Sequence, residues 1–146
     1  MLNNSCYASI GRDIDFPDAL ISLGEGCYNI GTILHELMHV IGYYHEHNQQ
    51  DRDKFINIHF ENIIPNATKE FQKNDPMNER IFTNWDFNSI MLYGQQAFSK
   101  DNISKTMEPK DRDRFSMMNV SDKPSLTELD AESIKMLYQC SKKCFN

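Results

Sequence analysis

Two histidines four positions apart, His35 and His39, with Glu36 beside the first, constrain this chain more than any other feature in it. Residues at i and i+4 stand one turn apart on a helix, so both imidazoles can converge on one ion while Glu36 lies next to them without being a ligand. At about 100° per residue, residues 33–41 gather Ile33, Leu34, Leu37, Met38, Val40 and Ile41 into one apolar arc. His35, Glu36 and His39 fall on the other side, which predicts that one side packs and the other carries chemistry. Gly42, lacking a Cβ, tolerates positive φ and can end the helix so that His45 folds back toward the same ion. Three neutral imidazoles leave one position open for water, the pattern of catalytic rather than structural zinc. His47, two positions further on, is the substitute third ligand.

The whole chain bounds what surrounds this site. Its 146 residues make one domain with a core of its own, 40% hydrophobic and 25% charged. The 15 basic and 21 acidic residues leave a net charge of -6 with no basic cluster, which argues against nucleic acid as a partner. No apolar run approaches the roughly 20 residues that span a bilayer. Four cysteines and four Asn-x-Ser/Thr sequons, at Asn3, Asn66, Asn102 and Asn119, point to an oxidising, secretory setting. The opening Met1, Leu2, Asn3, Asn4 has no basic-then-apolar leader, so the sequence is expected to be a fragment missing its beginning.

Along the chain, Cys6 to Ser9 reads as extended, followed by a polar loop through Gly11, Asp13, Asp15 and Pro17, and Ala19 to Leu23 reads as a strand. Cys6 and Cys27 flank this segment and are open to a bridge across it or to standing as two free thiols. The zinc helix is expected to begin near Gly31 or Thr32. His47 to Lys54 reads as a surface loop, and Phe55 to Phe60 as a half-buried strand with Ile56, Ile58 and Phe60 inward and His59 on its polar face. Residues 66–74 suggest a short helix with Phe71 inward. In Ser89 to Gly94 the run Ile90, Met91, Leu92 fits a tight turn whose methionine packs a polarizable thioether beneath the metal site. The Tyr93 phenol is then available to the ion or to a developing oxyanion. Ala97 to Met118 reads as irregular, its mixed charges from Lys110 to Arg114 marking a solvated loop. Thr127 with Asp130 resembles a capping box opening a last helix that ends near Cys140.

The run His35 to Glu46, the Ser89 to Gly94 turn and the closing Leu126 to Cys140 segment resemble the astacin family of zinc endopeptidases, within the metzincins. The resemblance covers nearly the whole chain from Cys6. It implies an α+β fold with a small upper sheet and the zinc helix, a cleft, and an irregular lower subdomain closed by the C-terminal helix. Residues 1–146 would form a single astacin-like peptidase domain without the N-terminal part of the usual catalytic domain. By this resemblance His35, His39 and His45 bind zinc, Glu36 is the general base, Tyr93 is an additional, displaceable metal ligand, and Met91 is the methionine beneath the metal. The stretch after Cys6 would border the substrate cleft, where an extended peptide adds to a strand edge. The Cys6–Cys27 pairing matches the family pattern. Cys140 would lack its usual partner, leaving a local bridge to the extra Cys144 open. Glu46 helps anchor the mature N-terminus in the family, and Leu92 stands where many members carry histidine.

The expected function is a secreted zinc endopeptidase acting on protein or peptide substrates, with Glu36 and Tyr93 as catalytic residues. The alternative is a zinc-binding but non-proteolytic relative acting as a binding module. A purely structural metal site is disfavoured, because three histidines leave zinc open and no cysteine is spaced to supply a fourth ligand.

Overall fold

A computed structural model describes residues 5–12 and 18–140 of the chain. Six short elements organise it: β1 (Cys6–Ala8), β2 (Ile21–Leu23), α1 (Ile30–Val40), β3 (Ile56–Ile58), β4 (Met107–Pro109) and α2 (Glu128–Leu137). The strands form two separate antiparallel pairs, Cys6 opposite Leu23 in one and Ile56 opposite Pro109 in the other. Five 3-10 segments, four of three residues and one of seven (Pro65–Phe71), interrupt an otherwise irregular chain among the described residues. This is the α+β architecture expected, with a small sheet beside α1 and a mostly irregular body closed by α2.

Helix α1 starts where Asn29 accepts a hydrogen bond from the Thr32 N–H at 2.8 Å, satisfying one of the first turn's free donors. It ends at Ile41, followed by Gly42 at φ +105°. The Gly42 N–H donates to His39 O and the Tyr43 N–H to Met38 O, the paired bonds of a Schellman motif. Helix α2 opens with the expected capping box, Thr127 and Asp130 bonding each other's backbone N–H. A disulfide joins Cys6 to Cys27 and ties β1 to the approach to α1. Cys140 is exposed, while Cys144, like Asn3, Asp13, Asp15 and Pro17, lies outside the described residues.

Two apolar clusters meet at the Ser89–Tyr93 turn. Leu92 joins Ile56, Ile63, Ala67, Phe71, Met107 and Met117, whereas Ile90 and Met91 pack with Met38 of α1, against Leu34 and Ile134. The turn therefore bridges both halves of the core, Ile90 and Met91 on one side and Leu92 and Tyr93 on the other.

Several segments differ from expectation. On α1 the polar face is buried as well as the apolar one: His35, Glu36 and His39 are 4–6% exposed and Met38 is 2%, while Leu37 of the apolar arc is 45% exposed. Hydrogen bonds from the histidines to backbone carbonyls let that face enter the interior. Strand β3 stops at Ile58 because the chain turns into a 3-10 segment at Phe60, which is left exposed. The expected 47–54 surface loop buries His47, Asn48 and Arg52, since the Arg52 guanidinium bonds inward to His47 O and Phe71 O. The 66–74 helix is a 3-10 segment, Pro65–Phe71, with Phe71 inward as expected. Strand β4 lies inside the stretch read as irregular, its polar sequence masked by Glu108, which is buried yet bonded to His59 Nε2 at 2.9 Å. Residues 110–114 are exposed as anticipated.

Gly31 sets the position of α1. A Cβ there would lie 2.0 Å from Val120 O and 2.8 Å from Lys123 O, both backbone atoms. Gly31→Ala, which in an exposed helix would stabilise by about 1 kcal/mol, is expected here to destabilise by about 3 kcal/mol through overpacking. Urea unfolding followed by circular dichroism measures this; an unchanged midpoint would show that the helix is free to shift.

Candidate metal centre

His35, His39 and His45 come together at the C-terminal half of α1 and the turn that follows it. One ring nitrogen from each lies within 4.8 Å of the others. Nε2 of His45 is 3.2 Å from Nε2 of His35 and 3.1 Å from Nε2 of His39. The far sides of two rings are fixed: His35 Nδ1 meets Ile90 O at 2.9 Å and His39 Nδ1 meets Tyr43 O at 2.7 Å. A carbonyl only accepts, so Nδ1 carries the proton in both rings and each Nε2 presents a lone pair inward.

A neutral His45 has at most one proton on Nε2, so at most one of the two short nitrogen contacts is a hydrogen bond. The other sets lone pair against lone pair, which a cation between them relieves. Tetrahedral zinc with nitrogen ligands at 2.0–2.1 Å places them roughly 3.3 Å apart. The donor set and its spacing fit that ion. His47 does not join the set. Its ring is buried, stacks on His45 at 5.1 Å, and places Nε2 3.3 Å from Glu70 O.

Glu36 and Tyr93 border the triad from different elements. Glu36 is 4% exposed and its Oε2 has no hydrogen-bond partner among the described residues. Tyr93 places its ring 4.4 Å from that of His45, 4.6 Å from His47 and 5.7 Å from His35. Met91 packs beneath the helix against Met38. Beside His45 a cavity of about 340 Å³ opens, lined in part by Glu46, Tyr43, Arg80, Phe82 and Asp86. His59, just past the end of β3, is engaged with Glu108 and lies outside the histidine triad.

Two residues that support this arrangement carried little signal in the sequence. Asp130, legible only as a helix cap, also accepts from Ser89 Oγ at 2.7 Å and from the Ile90 N–H at 3.0 Å. Lys123, which reads as an ordinary surface lysine, is 3% exposed and donates to Ser89 O and Leu92 O. No spacing rule connects residue 123 to the turn at 89–92.

Burial sets the protonation states. Desolvation lowers His35 from 6.5 to about 4, opposed by its bond to Ile90, and lowers His47 to about 3. It also lowers His39 and His45, the latter helped by the neighbouring histidines. The same cause raises Glu36 from 4.5 to about 7 and Glu46 to about 8, and raises the Tyr93 phenol. Below about pH 6.5 the unfolded chain takes up protons on four histidines that the folded chain resists, so stability falls with falling pH. Above it the folded chain still holds protons on Glu36 and Glu46 that the unfolded chain has released, so stability falls with rising pH. Four groups outweigh two on the acid side, and the metal-free chain is expected to be most stable near about pH 6.5. Urea midpoints of chelator-treated protein at three pH values test this; a monotonic trend would contradict it.

Known proteins resemble this chain in sequence and fold. The family model described as Astacin, a peptidase family, matches residues 1–139. Astacin-like metalloprotease toxin 1 of Loxosceles intermedia is 41% identical over 140 residues, covering 95% of this chain and 53% of the toxin. Zinc metalloproteinase nas-28 of Caenorhabditis elegans is 31% identical over 140 residues, 95% of this chain and 28% of that protein. This chain therefore spans about half or less of the length of these relatives. Among solved structures, high choriolytic enzyme 1, a hatching enzyme zinc-protease from Oryzias latipes, superposes with a TM-score of 0.84 at 31% identity. That match covers 97% of this chain and 68% of the enzyme. With a family model over nearly its full length and a histidine triad spaced for one zinc ion, the chain belongs to the astacin family of zinc metalloproteases.

Proposed function

We propose that this chain is an astacin-like peptidase domain of a secreted zinc endopeptidase, with His35, His39 and His45 as metal ligands and Glu36 as general base. The observation that carries this is a buried carboxylate oxygen without a partner among the described residues, Oε2 of Glu36, on the same helix face as two histidines whose Nε2 atoms converge with that of His45. Family membership and the toxin and hatching-enzyme relatives support proteins or peptides as substrates. The Cys6–Cys27 disulfide and the exposed sequon asparagines Asn66, Asn102 and Asn119 support an extracellular setting.

Zinc held by the three histidines supplies Lewis acidity toward a water molecule and a peptide carbonyl. The protein's own groups do the proton work. Glu36, raised to about 7, takes the proton from the attacking water near neutral pH and passes it to the leaving amine nitrogen. The Tyr93 phenol, kept protonated by burial, donates a hydrogen bond to the oxyanion that develops on the scissile carbonyl. The Tyr93 ring, packed against the His45 and His47 rings, would make the same phenol available as an additional, displaceable ligand to the metal.

The test is hydrolysis of a mixed quenched-fluorescent peptide library by the zinc-loaded chain. Glu36→Gln is expected to retain one zinc and lose about 10²- to 10⁴-fold in turnover; near wild-type activity in that variant would refute the base assignment. Tyr93→Phe is expected to keep zinc and lose roughly 10- to 100-fold. Loss of the metal in Tyr93→Phe would instead make the tyrosine a structural support. A wild-type chain that binds zinc and cleaves nothing would identify a binding module rather than a peptidase.

A further inference from the structure

Every backbone carbonyl from Ser89 to Leu92 has a partner, and three of the four partners come from outside the turn's own backbone. Ile90 O accepts from the His35 Nδ1–H at 2.9 Å. Met91 O accepts at 3.0 Å from the N–H of Glu46, the residue next to His45. Ser89 O and Leu92 O, at the two ends, both accept from the Lys123 ammonium. Ser89 O also receives the Leu92 N–H at 3.1 Å, which closes the turn. The two inner carbonyls thus face the histidine segments, and the two outer ones face a single lysine.

Lys123 is not free to drift. Its own carbonyl and that of Val120 abut Gly31 of α1, and Asn119 abuts Gly94, where a Cβ would come within 2.2 Å of the Asn119 Oδ1. The segment 119–123 is therefore pressed against the zinc helix on one side and the Tyr93 turn on the other. Lys123 is 3% exposed, so its charge is cut off from most of its hydration. The charges of Asp130 and Asp86 offset part of that loss. Asp130 holds the same turn from the opposite side, through Ser89 Oγ and the Ile90 N–H. Simple packing at this position needs no charge; two carbonyl acceptors spaced across Ile90 and Met91 do need one donor group that reaches both.

We propose that Lys123 is a positioning residue for the metal centre, its ammonium fixing the Ser89–Leu92 turn so that Ile90 O orients His35 and Met91 O orients the His45–Glu46 segment. The inference rests on the three histidines being the metal ligands. Groups that orient ligands from behind affect affinity and ligand geometry even when the fold is intact, whereas a merely structural lysine affects stability alone.

The experiment compares wild type with Lys123→Met and Lys123→Gln, each checked for native near-ultraviolet circular dichroism. Zinc affinity is read by competition with a chromophoric chelator, and ligand geometry by the visible bands of the cobalt-substituted protein. The expected result is a folded variant that binds zinc about 10- to 100-fold more weakly, with displaced or weakened cobalt bands. A folded variant with affinity within about twofold of wild type and unchanged bands would overturn the proposal. Failure of both variants to fold would overturn it too, since Lys123 would then act through the whole fold. Wild-type protein that binds neither zinc nor cobalt would instead remove the ligand assignment on which the inference stands.

Discussion

Nε2 of His45, brought to 3.2 Å from that of His35 and 3.1 Å from that of His39, resists that placement unless a cation lies between them, so each ring has to be held in place. His35 is held by Ile90 O, His39 by Tyr43 O, and His45 by aromatic neighbours on its faces. The acceptor for His39 exists because Gly42 ends the helix: the same reversal that sends His45 back turns the Tyr43 carbonyl toward the preceding turn. One backbone conformation at φ +105° thus serves two of the three histidines. Desolvation keeps the rings neutral, which a metal requires, and leaves Glu36 protonated to higher pH than an exposed carboxylate.

Regular secondary structure accounts for little of the remaining cohesion. The strands are three residues each, so buried backbone groups in the irregular body find side-chain partners instead. Arg52 serves His47 O and Phe71 O, Asn48 serves Glu70 O and Gln72 O, and Lys123 serves Ser89 O and Leu92 O. These long polar side chains do across sequence gaps what a ladder does between neighbouring strands. Asp130 adds the acceptor side of the same arrangement, capping α2 while holding the turn.

What the sequence showed was local. The triad, Glu36, the Gly42 reversal, the Met91–Tyr93 turn and the Thr127–Asp130 cap all depend on spacings of a few residues, and periodicity or turn chemistry exposes such spacings. The pairing of Cys6 with Cys27 rested on resemblance. What stayed hidden was non-local: Lys123 and Arg52 look like surface cations because their acceptors lie far away in the chain. Strand β4 was obscured for a related reason, since a buried Glu108 with a histidine partner breaks the apolar pattern that announces a strand. On α1 the wheel separated the two faces but not their exposure, because hydrogen-bonded histidines enter the interior beside Met38 while Leu37 of the apolar arc stays exposed.

The close approach of Gly31 to Val120 O leaves no space in which α1 could rotate or slide. A lineage that altered this helix would lose the ligand geometry before it gained a new preference. The cavity wall from Asn78 to Thr83 is held differently: it lacks regular structure, is tied back through Glu79 to the Gln50 N–H and Asn74, contributes nothing to the histidine triad, and exposes Ile81 beside the site. The fold thus separates the histidine triad, locked by close backbone packing, from a cavity rim that holds none of its three residues.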